Sequence, residues 1–170
     1  HLGERGLIDE IRRCLGTASP PAPHGIGDDT AVLPLEHCAH NLVTVDSILF
    51  GRHFDASVAP EEAGEYLMKR NLSDIAAMGG TPATAVLGLF LPSNLSLEWL
   101  RRFYRGLKNT ARCWDVFIVG GDLCESAGTL GGHLTLLGYA VRPVTRHGAA
   151  AGDLICVTGE LGGSLSSGRY

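Results

Sequence analysis

PEEAGEYLMKRNLSDIAAMGGTPATAVLGLFL, residues 60–91, holds a helix, its stop and a strand in one unbroken run. Pro60 stands near a helix start, and Glu61 and Glu62 follow it in the first turn, where acids favour the helix dipole. The helix is predicted to run to about Met78 and to end at Gly79 and Gly80, because glycine is the usual residue at a helix C-terminus. Ala83 to Leu91 then reads as a strand. The same alternation continues on both sides. Leu7, Ile8, Ile11, Cys14 and Leu15 fall at helical spacing and stop at Gly16, ahead of the Pro-rich segment from Ser19 to Pro23. Leu42 to Val45 is a short β-prone run. Ser96 caps a helix carrying Leu97, Leu100, Phe103, Tyr104 and Leu107. Val116 to Val119, His133 to Val141 and Leu154 to Val157 read as further strands. Strands alternating with helices over short connections predict an α/β (α+β) layer architecture, with a mixed sheet packed against helices.

Composition narrows the function classes. The chain has 170 residues, 45% of them hydrophobic and 19% charged, as expected of a globular domain with a proper core. Its formal net charge is −4 and it carries no Lys/Arg run, which argues against nucleic acid or a membrane surface as partner. No apolar stretch is long enough to span a bilayer, and the N-terminus lacks a signal-peptide pattern, so a cytoplasmic location is expected. The five cysteines are odd in number and include no Cys-x-x-Cys, which suggests neither a disulfide framework nor a zinc ribbon.

Acidic residues recur where apolar runs give way to small residues: Gly25-Ile26-Gly27-Asp28-Asp29, Thr44-Val45-Asp46, Asn71-Leu72-Ser73-Asp74 and Gly120-Gly121-Asp122. Carboxylates gathered from such segments repel one another and are costly to desolvate, so they are tolerated where hard cations bridge them and a phosphate completes the shell. That chemistry predicts a magnesium-dependent nucleotide site. Thr44 and Asp46 are two apart on a strand and share a face. Asn71 and Asp74 are three apart on a helix and share a face too. Asp74, among Leu72, Ile75, Ala76 and Met78, is not expected to be a solvated surface acid. Asp46 is placed at the end of its strand. Gly120 and Gly121 let backbone amides approach a phosphate while Asp122 takes a metal. Taken singly, Asp28-Asp29 also fits an exposed turn, Asp46 a turn cap with Ser47, and Gly-Gly-Asp a hairpin turn.

In their order and spacing these segments, together with Gly51-Arg52-His53-Phe54, Asn71 to Pro82 and Val144-Thr145-Arg146-His147-Gly148, resemble the thiamine-monophosphate kinase family. The resemblance runs from about Leu7 to the end of the chain. It implies a superfamily shared with aminoimidazole ribonucleotide synthetase, selenophosphate synthetase and a hydrogenase maturation protein, all using ATP without a Walker loop. It further implies ATP-dependent phosphorylation of thiamine monophosphate to thiamine diphosphate. Mg2+ ligands would be Asp29, Thr44, Asp46, Asp74 and Asp122. His53 would contact thiamine monophosphate. ATP would meet Tyr104, Gly121, Asp122 and Arg146. No side-chain nucleophile is expected. A homodimer joined through its sheets is implied, and the chain reads as an N-terminal ATP- and Mg2+-binding domain over residues 1–148, with residues 149–170 opening a second domain. Two alternatives remain open here: another ATP-using enzyme of the selenophosphate synthetase or hydrogenase-maturation type, and a non-catalytic nucleotide-binding or dimerisation module.

Overall fold

The computed structural model describes residues 4–21, 26, 40–145, 148–157 and 159. Helix α1 (Glu4–Leu15) runs into a 3-10 turn at Gly16–Ala18. Strand β1 (His40–Leu49) is followed by α2 (Pro60–Ala77), β2 (Thr81–Pro92), α3 (Leu97–Cys113), β3 (Phe117–Ser126) and β4 (Gly131–Ala140). The strands form one mixed sheet in the order β1-β4-β2-β3, with β2 and β3 parallel and the other pairs antiparallel.

Local chemistry sets the helix ends. The Ser96 hydroxyl accepts from the Trp99 N–H at 3.1 Å and caps α3, and Glu62 accepts from the Ala59 N–H at 3.3 Å at the start of α2. Gly79, at φ +64°, adopts the left-handed conformation that ends α2.

Helix α2 lies on β1 and β4 and packs beside α3, while α1 packs on α3. Leu67, Met68 and Ile75 of α2, Phe103 and Leu107 of α3, and Ala85, Leu87, Leu134 and Leu136 of the sheet fill the space between the layers. Two glycines bring the helices close. A Cβ on Gly64 would fall well under 3.0 Å from the Phe103 carbonyl oxygen, and one on Gly106 would do the same to the Glu61 carbonyl oxygen. Backbone cannot yield as a side-chain tip can. Gly106→Ala is therefore expected to destabilise the fold by about 1–3 kcal/mol, read as a lower urea midpoint at unchanged slope; an unchanged midpoint would show that the helices can separate freely.

Glu10 ties α1 to α3. It is 6% exposed, accepts from Arg101 Nε at 2.7 Å and also pairs with Arg13. Arg101 foremost holds its carboxyl below the ordinary value of 4.5. A carboxylate depressed in the folded state contributes stability above its unfolded pKa and loses it as pH falls through the folded one. Stability is thus expected to drop below about pH 4.3, and Glu10→Gln to flatten that acid limb in pH-dependent thermal melts.

The opposite face of the sheet carries no layer among the described residues. Val43 and Val45 of β1 are 71% and 59% exposed, and Phe90 of β2 and Phe117 of β3 are exposed on the same face. His133 of β4 lays its ring over Gly88 on this same face, 6.1 Å from the Phe90 ring.

Several sequence expectations need correction. β1 extends to Leu49, so Asp46 is mid-strand: its side chain turns inward toward α2, which a local pattern reads as a strand end. β3 runs through Gly120, Gly121 and Asp122, which are strand residues and not a loop after one. Gly121 is there because a Cβ would strike the Leu87 carbonyl of the neighbouring strand. Leu154 to Val157 forms no strand: Leu154 and Ile155 are almost fully exposed and pair with no neighbour in the sheet.

Candidate active site at the contact of β1 and α2

Alternation on β1 turns Leu42, Thr44, Asp46 and Ile48 toward the helices. Helical spacing on α2 places Arg70, Asn71 and Asp74 on the side that meets them. The Thr44 hydroxyl donates to Asp74 Oδ2 at 2.6 Å. Asn71 is wholly buried; its Nδ2 donates to the Leu67 carbonyl at 2.9 Å and its Oδ1 accepts from the Asp46 N–H at 3.1 Å. A buried amide satisfied at both ends locks the strand to the helix at the level of Asp46. Arg70 Nη2 donates to Asp46 Oδ1 at 2.8 Å, and this hydrogen bond foremost holds the guanidinium more firmly protonated.

Thr44 and Asp74 are thus in contact, while Asp46, two residues along the same strand face, is held by Arg70 and Asn71. Asp74 differs from expectation in being exposed, because its turn of α2 lies at the rim of the layer contact, where a ligand can reach it. Arg70 and the bridging role of Asn71 were not foreseen; the i, i+4 spacing of Arg70 and Asp74 on one helix face was the available signal.

The donor set consists of hard oxygens, two carboxylates and a hydroxyl, which suits Mg2+ held by few protein groups with water and phosphate oxygens completing the shell. Among the described residues no group of three or more His, Cys, Asp or Glu gathers closely enough to hold an ion.

Other expected site residues lie elsewhere. His53 follows β1 in a turn through Gly51, at φ +80°, and its Nδ1 accepts from the Leu49 N–H at 3.1 Å. The neutral ring therefore carries its proton on Nε2, free to donate outward. Phe54 anchors this turn, 5.5 Å from the Phe50 ring and 6.3 Å from that of Trp99. Gly121 and Asp122 sit on the far edge of the sheet. Asp122 pairs with Gly88, which pairs with His133, which pairs with Ser47. Three strand spacings of about 4.8 Å each separate Asp122 from β1 within one chain. Tyr104 is packed in the core edge-to-face against Phe103, and burial pushes its phenol far above the ordinary range, so no ring face is open to a nucleotide base. Asp29 and Arg146 lie outside the described residues.

A mixed sheet covered on one face by helices, with an oxygen-rich site where its first strand meets its second helix, has a counterpart among known families. The chain belongs to the AIR synthase related protein family, whose N-terminal domain matches residues 27–141. Within it the likeness is to thiamine-monophosphate kinases. That of Aquifex aeolicus (strain VF5) is 39% identical over 164 residues, covering 96% of this chain and 51% of the relative. Among solved structures, AaThiL complexed with AMPPCP and TMP is similar at 38% identity and a TM-score of 0.65, covering 88% of this chain and 46% of that one. Hydrogenase Maturation Protein HypE in complex with ATP shares the fold, at a TM-score of 0.68 and 22% identity, over 82% of this chain and 40% of that one. The chain spans about half the length of the curated relatives it matches.

No helix among the described residues is long and apolar enough to cross a membrane.

Proposed function

We propose that the protein to which this chain belongs transfers the γ-phosphoryl group of ATP to the phosphate of thiamine monophosphate, giving thiamine diphosphate. The observation that carries the reading is the Thr44–Asp74 hydrogen bond at the contact of β1 and α2, with Asp46 two residues along the same strand face. The likeness to thiamine-monophosphate kinases, one of them solved with AMPPCP and TMP, supports the choice of substrates.

Asp46 and Asp74 hold Mg2+ in this reading, with Thr44 beside them and Asp29 and Asp122 assigned to the same set of ions. Bound there, the ions neutralise charge on the polyphosphate as it is transferred. The acceptor is already an anionic phosphate oxygen near neutral pH, so the chain needs no strong base and no covalent nucleophile. Positioning remains the main work of its residues. Asn71 fixes the backbone of Asp46, the hydroxyl of Thr44 orients Asp74, and His53 offers Nε2–H to the thiamine monophosphate phosphate. Gly121 and Arg146 are assigned to the ATP phosphates.

The sheet face left uncovered among the described residues supports a homodimer, since an apolar face of this kind is costly to leave in water. Joining the sheets of two copies brings the β3 edge of one toward the β1 edge of the other, the route by which Asp122 reaches ions held by Asp46 and Asp74. The four described cysteines are all free thiols, which favours the reducing cytoplasm, where ATP and Mg2+ are at hand.

Phosphorus NMR of the intact protein with ATP, Mg2+ and thiamine monophosphate tests the reading. It is expected to show ADP and the paired phosphate signals of thiamine diphosphate growing together. Inorganic phosphate appearing in place of thiamine diphosphate would overturn the choice of acceptor.

A further inference from the structure

The Asp46 carboxylate already holds a cation that the chain itself supplies. Arg70 Nη2 donates to Asp46 Oδ1 at 2.8 Å, its Nη1 donates to the Tyr66 hydroxyl at 3.3 Å, and its guanidinium carbon stands 5.5 Å from the centre of the Tyr66 ring. We propose that Arg70 is a counter-cation and positioning residue for Asp46: it pairs the carboxylate while no divalent ion is present, gives it up when the ion binds, and thereby sets the ion affinity of the site. This rests on Asp46 being an ion ligand, as proposed above.

Three features favour exchange over a permanent clamp. Arg70 Nε is buried without a hydrogen-bond partner, so the guanidinium holds Asp46 at the expense of an unmet donor. The Arg70 side chain is 31% exposed, so its head can swing into water while its stem stays against α2. The backbone of Asp46 does not depend on it, because the buried Asn71 amide accepts the Asp46 N–H. Releasing the guanidinium frees the carboxylate without moving the strand. A guanidinium left 2.8 Å from that carboxylate would repel a divalent ion on the other side, so pairing and ligation compete.

The test uses the intact protein without nucleotide and Mn2+ as the probe, with free Mn2+ read by electron paramagnetic resonance and unfolding followed in parallel. Arg70→Met keeps an apolar stem and removes the charge. It is expected to bind Mn2+ about two- to fivefold more tightly than the parent, the range set by a part-exposed ion pair. It is also expected to melt at a lower temperature in EDTA, with the gap narrowing at saturating Mn2+. Arg70→Gln guards against a folding failure in the first variant and is expected to shift affinity in the same direction. Asp46→Asn separates the ligand role of Asp46 from the counter-cation role of Arg70. If Asp46→Asn weakens Mn2+ binding while both Arg70 variants leave it unchanged or weaker, the counter-cation role is overturned and the ligand role stands. If Asp46→Asn binds Mn2+ as the parent does, the ligand role falls and the Arg70 proposal falls with it.

Discussion

Asp74→Asn in the intact protein is expected to lower phosphoryl transfer to thiamine monophosphate by about 10²-fold or more, the scale on which loss of a single charge-stabilising group acts at a reacting centre. The fold should survive the change. Asp74 is exposed, and the one described hydrogen bond of its carboxylate accepts from the Thr44 hydroxyl, a role the Asn carbonyl can keep. What disappears is a negative charge and a strong oxygen ligand at an exposed carboxylate of the site. Turnover is measured by coupled detection of ADP under saturating Mg2+, with circular dichroism and thermal melting as controls on the fold. Activity within about threefold of the parent would remove Asp74 from the chemistry, since such a small loss is below what a lost ion ligand produces.

Val45→Lys is expected to split the proposed homodimer. Val45 lies on the bare sheet face, 59% exposed in the single chain, so a lysine there can extend into water and leave the protomer folded. In a dimer joined through that face the same ammonium would be buried among apolar neighbours without a partner, at a cost of several kcal/mol. The dissociation constant should rise by about 10²-fold or more. Sedimentation of parent and variant across micromolar concentrations reads it. A parent that dimerises and a variant that dimerises equally well would move the interface to another face. If Asp122 reaches the ions of a second copy, the monomeric variant should also lose turnover while retaining its melting temperature.

The parts of this fold that were legible in the sequence are those whose signals are local. Pro60 with its acidic first turn, Ser96 as a cap and the Gly79-Gly80 stop fixed α2 and α3 because capping and termination are decided within a turn of chain. The sheet was harder. Gly120 and Gly121 looked like the end of a strand, yet β3 continues through them because the Leu87 carbonyl of the parallel neighbour leaves no room for a side chain at Gly121. Asp46 looked like a strand end for a similar reason, since nothing near it in sequence shows that Arg70 and Asn71 wait to receive it. Leu154 to Val157 has the composition of a strand but no described neighbour to pair with, and β propensity without pairing makes no strand. For the proposed site, the meeting of the Thr44 strand face with the Asp74 helix face could be anticipated from residue type and spacing. Tyr104 was chosen from the resemblance alone, while its helical period with Leu100, Phe103 and Leu107 pointed to the core, where the structure places it.

Asp46 on β1 and Asp74 on α2 are proposed to hold the ions that carry the nucleotide phosphates. Anomalous diffraction from crystals of the intact protein, grown with Mn2+ and a non-hydrolysable ATP analogue, tests this assignment most directly. The expected result is an anomalous peak at about 2.0–2.2 Å from carboxylate oxygens of both Asp46 and Asp74, with phosphate oxygens in the same coordination shell. Peaks confined to other residues, with Asp46 still paired to Arg70 and Asp74 bonded only to Thr44, would contradict it.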